Sequence, residues 1–152
     1  MMAEQNAGRQ QRIMGIDFGT TRIGISLSDP LQIIAQPFIT LDNQPGIIAR
    51  ICELVRKEDI AIIVVGMPLN LKGEKGKKAQ EVEKFIDEIR KVTEIEVVHW
   101  DERFTTSIAH QTLLTMGTKR DERRNKKGRV DSMAAAILLQ GFLDSRKRSM
   151  IC

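Results

Sequence analysis

Asp17, the pair Asp101-Glu102 and Asp131 are the residues of this chain whose type and setting could do chemistry. Asp17 lies within the apolar run Ile13 to Phe18, where an ionised carboxylate needs a compensating charge or hydrogen-bond donors. A divalent cation supplies the first and the Gly19-Thr20-Thr21 turn supplies the second, and Asp17 alone does not choose between them. Asp101-Glu102-Arg103 in isolation is a solvated loop with a local ion pair, and Asp131 an acid favoured by the dipole in the first turn of a helix. If the fold gathers the three, their mutual repulsion raises their pKa values, and shared metal ions relieve it. Asp-x-Gly-Thr after an apolar strand also occurs in actin-like and sugar-kinase ATPases, where it faces phosphate. Those enzymes need two such domains around a cleft, and 152 residues make one.

Just before Asp131, residues 119–129 carry seven basic and two acidic side chains, a net charge of +5 against +4 for the whole chain. The stretch is either a solvated loop or a device that draws phosphate to the acids. Aromatics are 4% of the chain and Tyr is absent, which disfavours a stacking platform for single strands and favours recognition of backbone and shape. The loop Gly66 to Gly73 is rich in turn residues and leaves a predicted central strand at the same edge, so contact with substrate is expected there. His99 and His110 have no metal-pair spacing and receive no role.

The acids can meet only if the elements between them place them together. Ile13 to Phe18 and Ile23 to Ser28 read as a hairpin, and Ile33 to Leu41, interrupted by Pro37, as a third strand at an edge or bend. Gln44 to Lys57 has helical apolar spacing, and Ile60 to Gly66 is a β-branched run expected in a central strand covered on both faces. A second helix is marked by Val82, Phe85, Ile86, Ile89 and Val92, and a fifth strand by Ile95 to Trp100. A third helix is predicted from Thr105 or Thr106 to Met116, and a fourth is striped from Val130 to Phe142. The order βββαβαβαα predicts an α/β ribonuclease H-like fold: a five-stranded mixed sheet, three antiparallel strands leading and parallel strands following, with helices on both faces. Asp17, Asp101-Glu102 and Asp131 then fall at or near the carboxyl edge, where ligands of such sheets gather.

The chain is 41% apolar, enough for one core, with a pI near 9.3 that leans toward a polyanionic partner. Cys52 and Cys152 make neither a disulfide framework nor a metal cluster, as expected in a reducing cytoplasm. The first dozen residues are polar, no run is long enough to cross a bilayer, and neither secretion nor membrane insertion is expected. The predicted organisation is a polar arm over residues 1–11, one domain over 12–146 and a tail over 147–152.

Four motifs in order resemble the YqgF family, also called RuvX: Asp17-Phe18-Gly19-Thr20-Thr21-Arg22-Ile23-Gly24; Gly66-Met67-Pro68-Leu69-Asn70 with Gly73; Asp101-Glu102-Arg103-Phe104-Thr105-Thr106; and Val130-Asp131-Ser132-Met133-Ala134-Ala135. That family is described both as Holliday junction resolvases and as pre-16S rRNA nucleases. The resemblance implies a ribonuclease H-like fold similar to the RuvC resolvases. It also implies metal-binding catalytic acids at Asp17, Glu102 and Asp131, with Asp101 as a secondary neighbour, and two Mg²⁺ or Mn²⁺ ions that hydrolyse phosphodiester bonds. Thr20, Arg22, Asn70, Arg103, Lys126, Lys127 and Arg129 are the expected substrate contacts. The expected partner is structured RNA or branched DNA, the expected state a monomer or homodimer. A non-catalytic nucleic-acid-binding module is the reading from another class.

Overall fold

The computed structural model describes residues 11–69, 72–102 and 126–151. Five strands form one mixed sheet: β1 (Arg12–Asp17), β2 (Arg22–Ser28), β3 (Ala35–Asp42), β4 (Ile60–Met67) and β5 (Glu96–Asp101), in the spatial order β3-β2-β1-β4-β5. The first three pair antiparallel, and β1–β4 and β4–β5 pair parallel, as the element order predicts. Between them run α1 (Ile47–Lys57) and α2 (Lys77–Val92), and α3 (Lys126–Ile151) closes the described chain. The helix predicted between residues 105 and 116 lies outside the described residues.

Strand alternation divides the sheet into two faces. Met14 and Ile16 of β1, Ile23 and Ile25 of β2, and Ile63 and Val65 of β4 meet Ile51, Leu54 and Val55 of α1 and Val82, Phe85 and Ile89 of α2. On the other face Ile13 and Val64 meet Met133, Ala136, Ile137, Leu138 and Leu139 of α3. Each fully buried large apolar side chain contributes roughly 1.5–3 kcal/mol, so β4, buried on both faces, anchors both layers. Trp100 of β5 and Phe142 of α3 add an edge-to-face contact at 5.9 Å between ring centroids.

Pro37 sits on edge strand β3, where a missing N–H does least harm, and the register with β2 shifts beside it: Ile25 pairs with Ile39, Ser26 with Pro37. Two sequence expectations change. The first helix starts at Ile47 rather than Gln44, because Gly46 adopts φ 92°, outside the helical region. The last helix is already formed at Lys126, the first described residue of its segment, rather than near Val130, so Asp131 stands beyond its first turn and the macrodipole does not account for an acid there. Lys and Arg are good helix formers, so the end of the basic stretch extends the helix despite Gly128. The helix also continues past Arg146 to Ile151.

Candidate active site

Asp17 ends β1 and faces the α3 side of the sheet, in alternation with Ile13 and Gly15. Its two lateral neighbours are glycines. In β2, Gly24 pairs directly with Asp17. In β4, Gly66 stands one step past the Ile16–Val65 pairing. Each glycine makes room for one of the other acids. A Cβ on Gly24 would overlap the backbone carbonyl of Asp131, so the second turn of α3 rests directly on β2. A Cβ on Gly66 would come within 2.6 Å of Glu102 Oε1, so the Glu102 carboxylate fills the space above β4. Glu102 and Asp131, from distant parts of the sequence, thus border Asp17.

Their electrostatics follow from that placement. Burial, reinforced by the negative charges of Glu102 and Asp131 and a hydrogen bond shared with Glu102, raises the Asp17 pKa from 3.8 to about 6. The ammonium of Lys78, in the first turn of α2, acts in the opposite direction. Asp131 is partly neutralised: Arg22 Nε donates to its Oδ2 at 2.7 Å, joining β2 to α3. Ser26 Oγ, buried on the same strand, donates to the Ala135 carbonyl at 2.8 Å and pins the next turn of α3.

Of the residues singled out from sequence, Asp17, Glu102, Asp131 and Arg22 come together. Thr20 is exposed in the β1–β2 turn beside them. Asp101 closes β5 opposite Met67, and alternation with Trp100 directs it to the α1/α2 face, away from the Glu102 carboxylate. Asn70 and Arg103 lie outside the described residues, as do the side chains of Lys126, Lys127 and Arg129. Two contributors were not singled out. Asn43 Nδ2 donates to the Gly19 carbonyl at 2.8 Å, and its backbone N–H to the Thr21 carbonyl at 2.9 Å, bracing the turn between Asp17 and Arg22. Nothing local in the sequence marks it. Lys78 is the other, and its signal was legible: a lysine in a first helical turn opposes the macrodipole.

Among the described residues no group of three or more His, Cys, Asp and Glu side chains is gathered closely enough to hold a metal ion as it stands. The donor set nonetheless suits a hard cation: Asp17 and Glu102 offer only oxygens, and such a cation would relieve the burial cost and repulsion that raise the Asp17 pKa. Asp131 is engaged by Arg22.

Gly66→Ala tests this geometry. The atoms it meets, Glu102 Oε1 and Leu138 Cδ2, are ends of flexible side chains, so the variant should fold with a loss of about 1 kcal/mol or less. Its displaced Glu102 should lower turnover roughly 10²-fold, read by comparing melting curves with cleavage rates.

The architecture is similar to that of T. thermophilus RuvC in complex with Holliday junction substrate (TM-score 0.59, 16% identity, covering 90% of this chain and 96% of that one). The fowlpox virus resolvase in its junction complex is also similar (TM-score 0.55, 10% identity, covering 90% and 99%). The protein is therefore of ribonuclease H-like fold. Residues 11–145 match the family model for RuvX, described as Holliday junction resolvase, and the chain belongs to that family. Relatives carrying the name "Putative pre-16S rRNA nuclease" include those of Ruminiclostridium cellulolyticum, 38% identical over 136 residues (88% of this chain, 94% of the relative), and Endomicrobium trichonymphae, 43% identical over 135 residues (88% and 95%). Among the described residues no helix is long and apolar enough to cross a membrane.

Proposed function

We propose that this chain, through a domain spanning residues 12–146, is a divalent-metal-dependent nuclease. It acts in the cytoplasm on the 5′ precursor segment of 16S rRNA, with Asp17, Glu102 and Asp131 as its catalytic acids. The observation that carries this reading is the placement of Asp17. A carboxylate held between two glycines, with the Glu102 carboxylate over one, the Asp131 backbone over the other and both negative charges raising its pKa, is costly unless a cation belongs there. The names of the relatives supply the RNA substrate.

In this reading Asp17, Glu102 and Asp131 would hold Mg²⁺ or Mn²⁺ through their carboxylate oxygens. Bound ions of this kind lower the pKa of an attacking water and stabilise the leaving 3′ oxygen. Arg22 and Thr20, beside the turn, are proposed to meet the phosphate strand. Asn70, Arg103, Lys126, Lys127 and Arg129 are proposed as further contacts. The RuvX family description favours a second reading, cleavage of four-way DNA junctions, which needs two sites in a symmetric dimer.

The test sets an end-labelled 16S precursor 5′ segment beside a four-way DNA junction, with Mn²⁺, Mg²⁺ or chelator, and measures the oligomeric state by light scattering. Metal-dependent cutting of the RNA by a monomer or dimer is expected. Cutting of the junction alone by a dimer would replace the first reading with the second. No cutting of either, with no effect of either metal on melting temperature, would make the chain a binding module.

A further inference from the structure

An edge that gathers three carboxylates repels the polyanion it is to cut, so cations must stand where the strand arrives. Arg22 is engaged with Asp131. Among the described residues, a second cation at this edge comes from the opposite layer. Phe18, the residue after Asp17, packs on Phe85 of α2 with ring centroids 4.8 Å apart. Lys78 lies seven residues before Phe85, hence on the same face of the helix and two turns nearer its amino end. Because α2 leads from the carboxyl end of β4 back across the sheet, that amino end is at the Asp17 edge. Side chains lean toward the amino end of their helix, which carries the Lys78 ammonium further toward the edge.

The setting suits a ligand better than it suits the helix. The first turn of α2 has no acidic residue, its N-cap Gly76 offers no side chain, and lysines stand at 77 and 78 against the dipole. Lys75 nearby is committed to Glu83. Lys78 is exposed and, among the described residues, forms no ion pair within bonding distance. Its field nevertheless reaches the Asp17 carboxylate.

We infer that Lys78 is a substrate-contacting residue: its ammonium binds a phosphate oxygen of the nucleic-acid strand that crosses the sheet edge at Asp17. This rests on the nuclease reading and adds to it a phosphate contact supplied by the α1/α2 layer. The strand is thereby held between that layer and Arg22 on the α3 side.

The experiment measures binding of the full chain to the labelled RNA in chelator across a series of KCl concentrations, and steady-state cleavage with metal. The chains compared are wild type, Lys78→Gln, Lys78→Arg and Lys91→Gln, the last a lysine in the final turn of the same helix. Lys78→Gln should weaken binding about tenfold, as for loss of one charge-assisted contact, and flatten the slope of log K against log salt by about 0.7–0.9. KM should rise accordingly. Lys78→Arg should restore the slope, and Lys91→Gln should match wild type. A Lys78→Gln chain that keeps the wild-type slope and KM while wild type binds and cuts would overturn the Lys78 contact alone. A wild-type chain that neither binds nor cuts would overturn the nuclease reading, and the contact with it.

Discussion

Asp17→Asn will abolish cleavage and at the same time raise stability at neutral pH. The Asp17 pKa stands at about 6 in the folded protein against 3.8 for the free side chain. Between these values the folded state retains a proton that the unfolded state has released, so wild-type stability falls as pH rises through about 4 to 6. Above that window the deficit is complete. Two pKa units correspond to nearly 3 kcal/mol, and partial solvation of the side chain lowers this to about 2 kcal/mol. Asparagine carries no charge, and its amide can donate to Glu102 at neutral pH, where the ionised Asp17 cannot. Melting curves from pH 4 to pH 8 should show little difference at the acid end, a gap opening through pH 6, and a plateau of roughly 4–8 °C in favour of the variant. Saturating Mn²⁺ or Mg²⁺ should narrow the gap by stabilising only wild type. Cleavage should fall by about 10³-fold or more, because the variant loses the carboxylate that the other two acids border. A variant that melts no higher than wild type at pH 7 would mean that Asp17 does not bear the cost described.

Gly24→Ala should be the most damaging single-methyl change in the sheet. Its Cβ meets the carbonyl of Asp131 and the N–H of Ser132, which are helix backbone and cannot turn aside as a side chain can. Relief requires lifting the amino-terminal half of α3 from β2. That half buries Met133, Ala135 and Ala136 and receives the Ser26 hydroxyl at Ala135. A loss of about 3 kcal/mol is expected, read as a lower urea midpoint. Cleavage should fall further than stability does, since the same lift carries Asp131 away from Asp17. Wild-type stability in this variant would contradict the seating of α3 on Gly24. The contrast with Gly66→Ala is informative, because there the obstacle is the end of a side chain and the expected harm is confined to the reaction.

The sequence alone determined the layers of this protein and the candidates for its chemistry. Alternation within Ile13 to Asp17 and Ile23 to Ser28, the unbroken apolar run from Ile60 to Val65 and the helical stripe through Ile51, Leu54 and Val55 each report burial within a few residues. Burial is a local pattern because periodicity is local. Pro37 announced the edge strand for the same reason: a missing N–H is tolerated only there. The helix α3 reaches further toward the amino end than its apolar stripe, which begins at Val130, because it extends through charged residues that periodicity does not register.

Tertiary structure decided how the acids are spaced and what neutralises them. Arg22 and Asp131 are 109 residues apart, and no local pattern states that they pair at 2.7 Å. The strand order β2-β1-β4 sets a glycine on each side of Asp17, and the seating of α3 and the turn after β5 fill the space those glycines leave. Lys78 reaches the same edge only because Phe85 of its helix packs on Phe18. Coulomb energies and desolvation depend on distance and burial in three dimensions, so residue types could nominate the acids, and only the packed sheet could raise the proton affinity of Asp17.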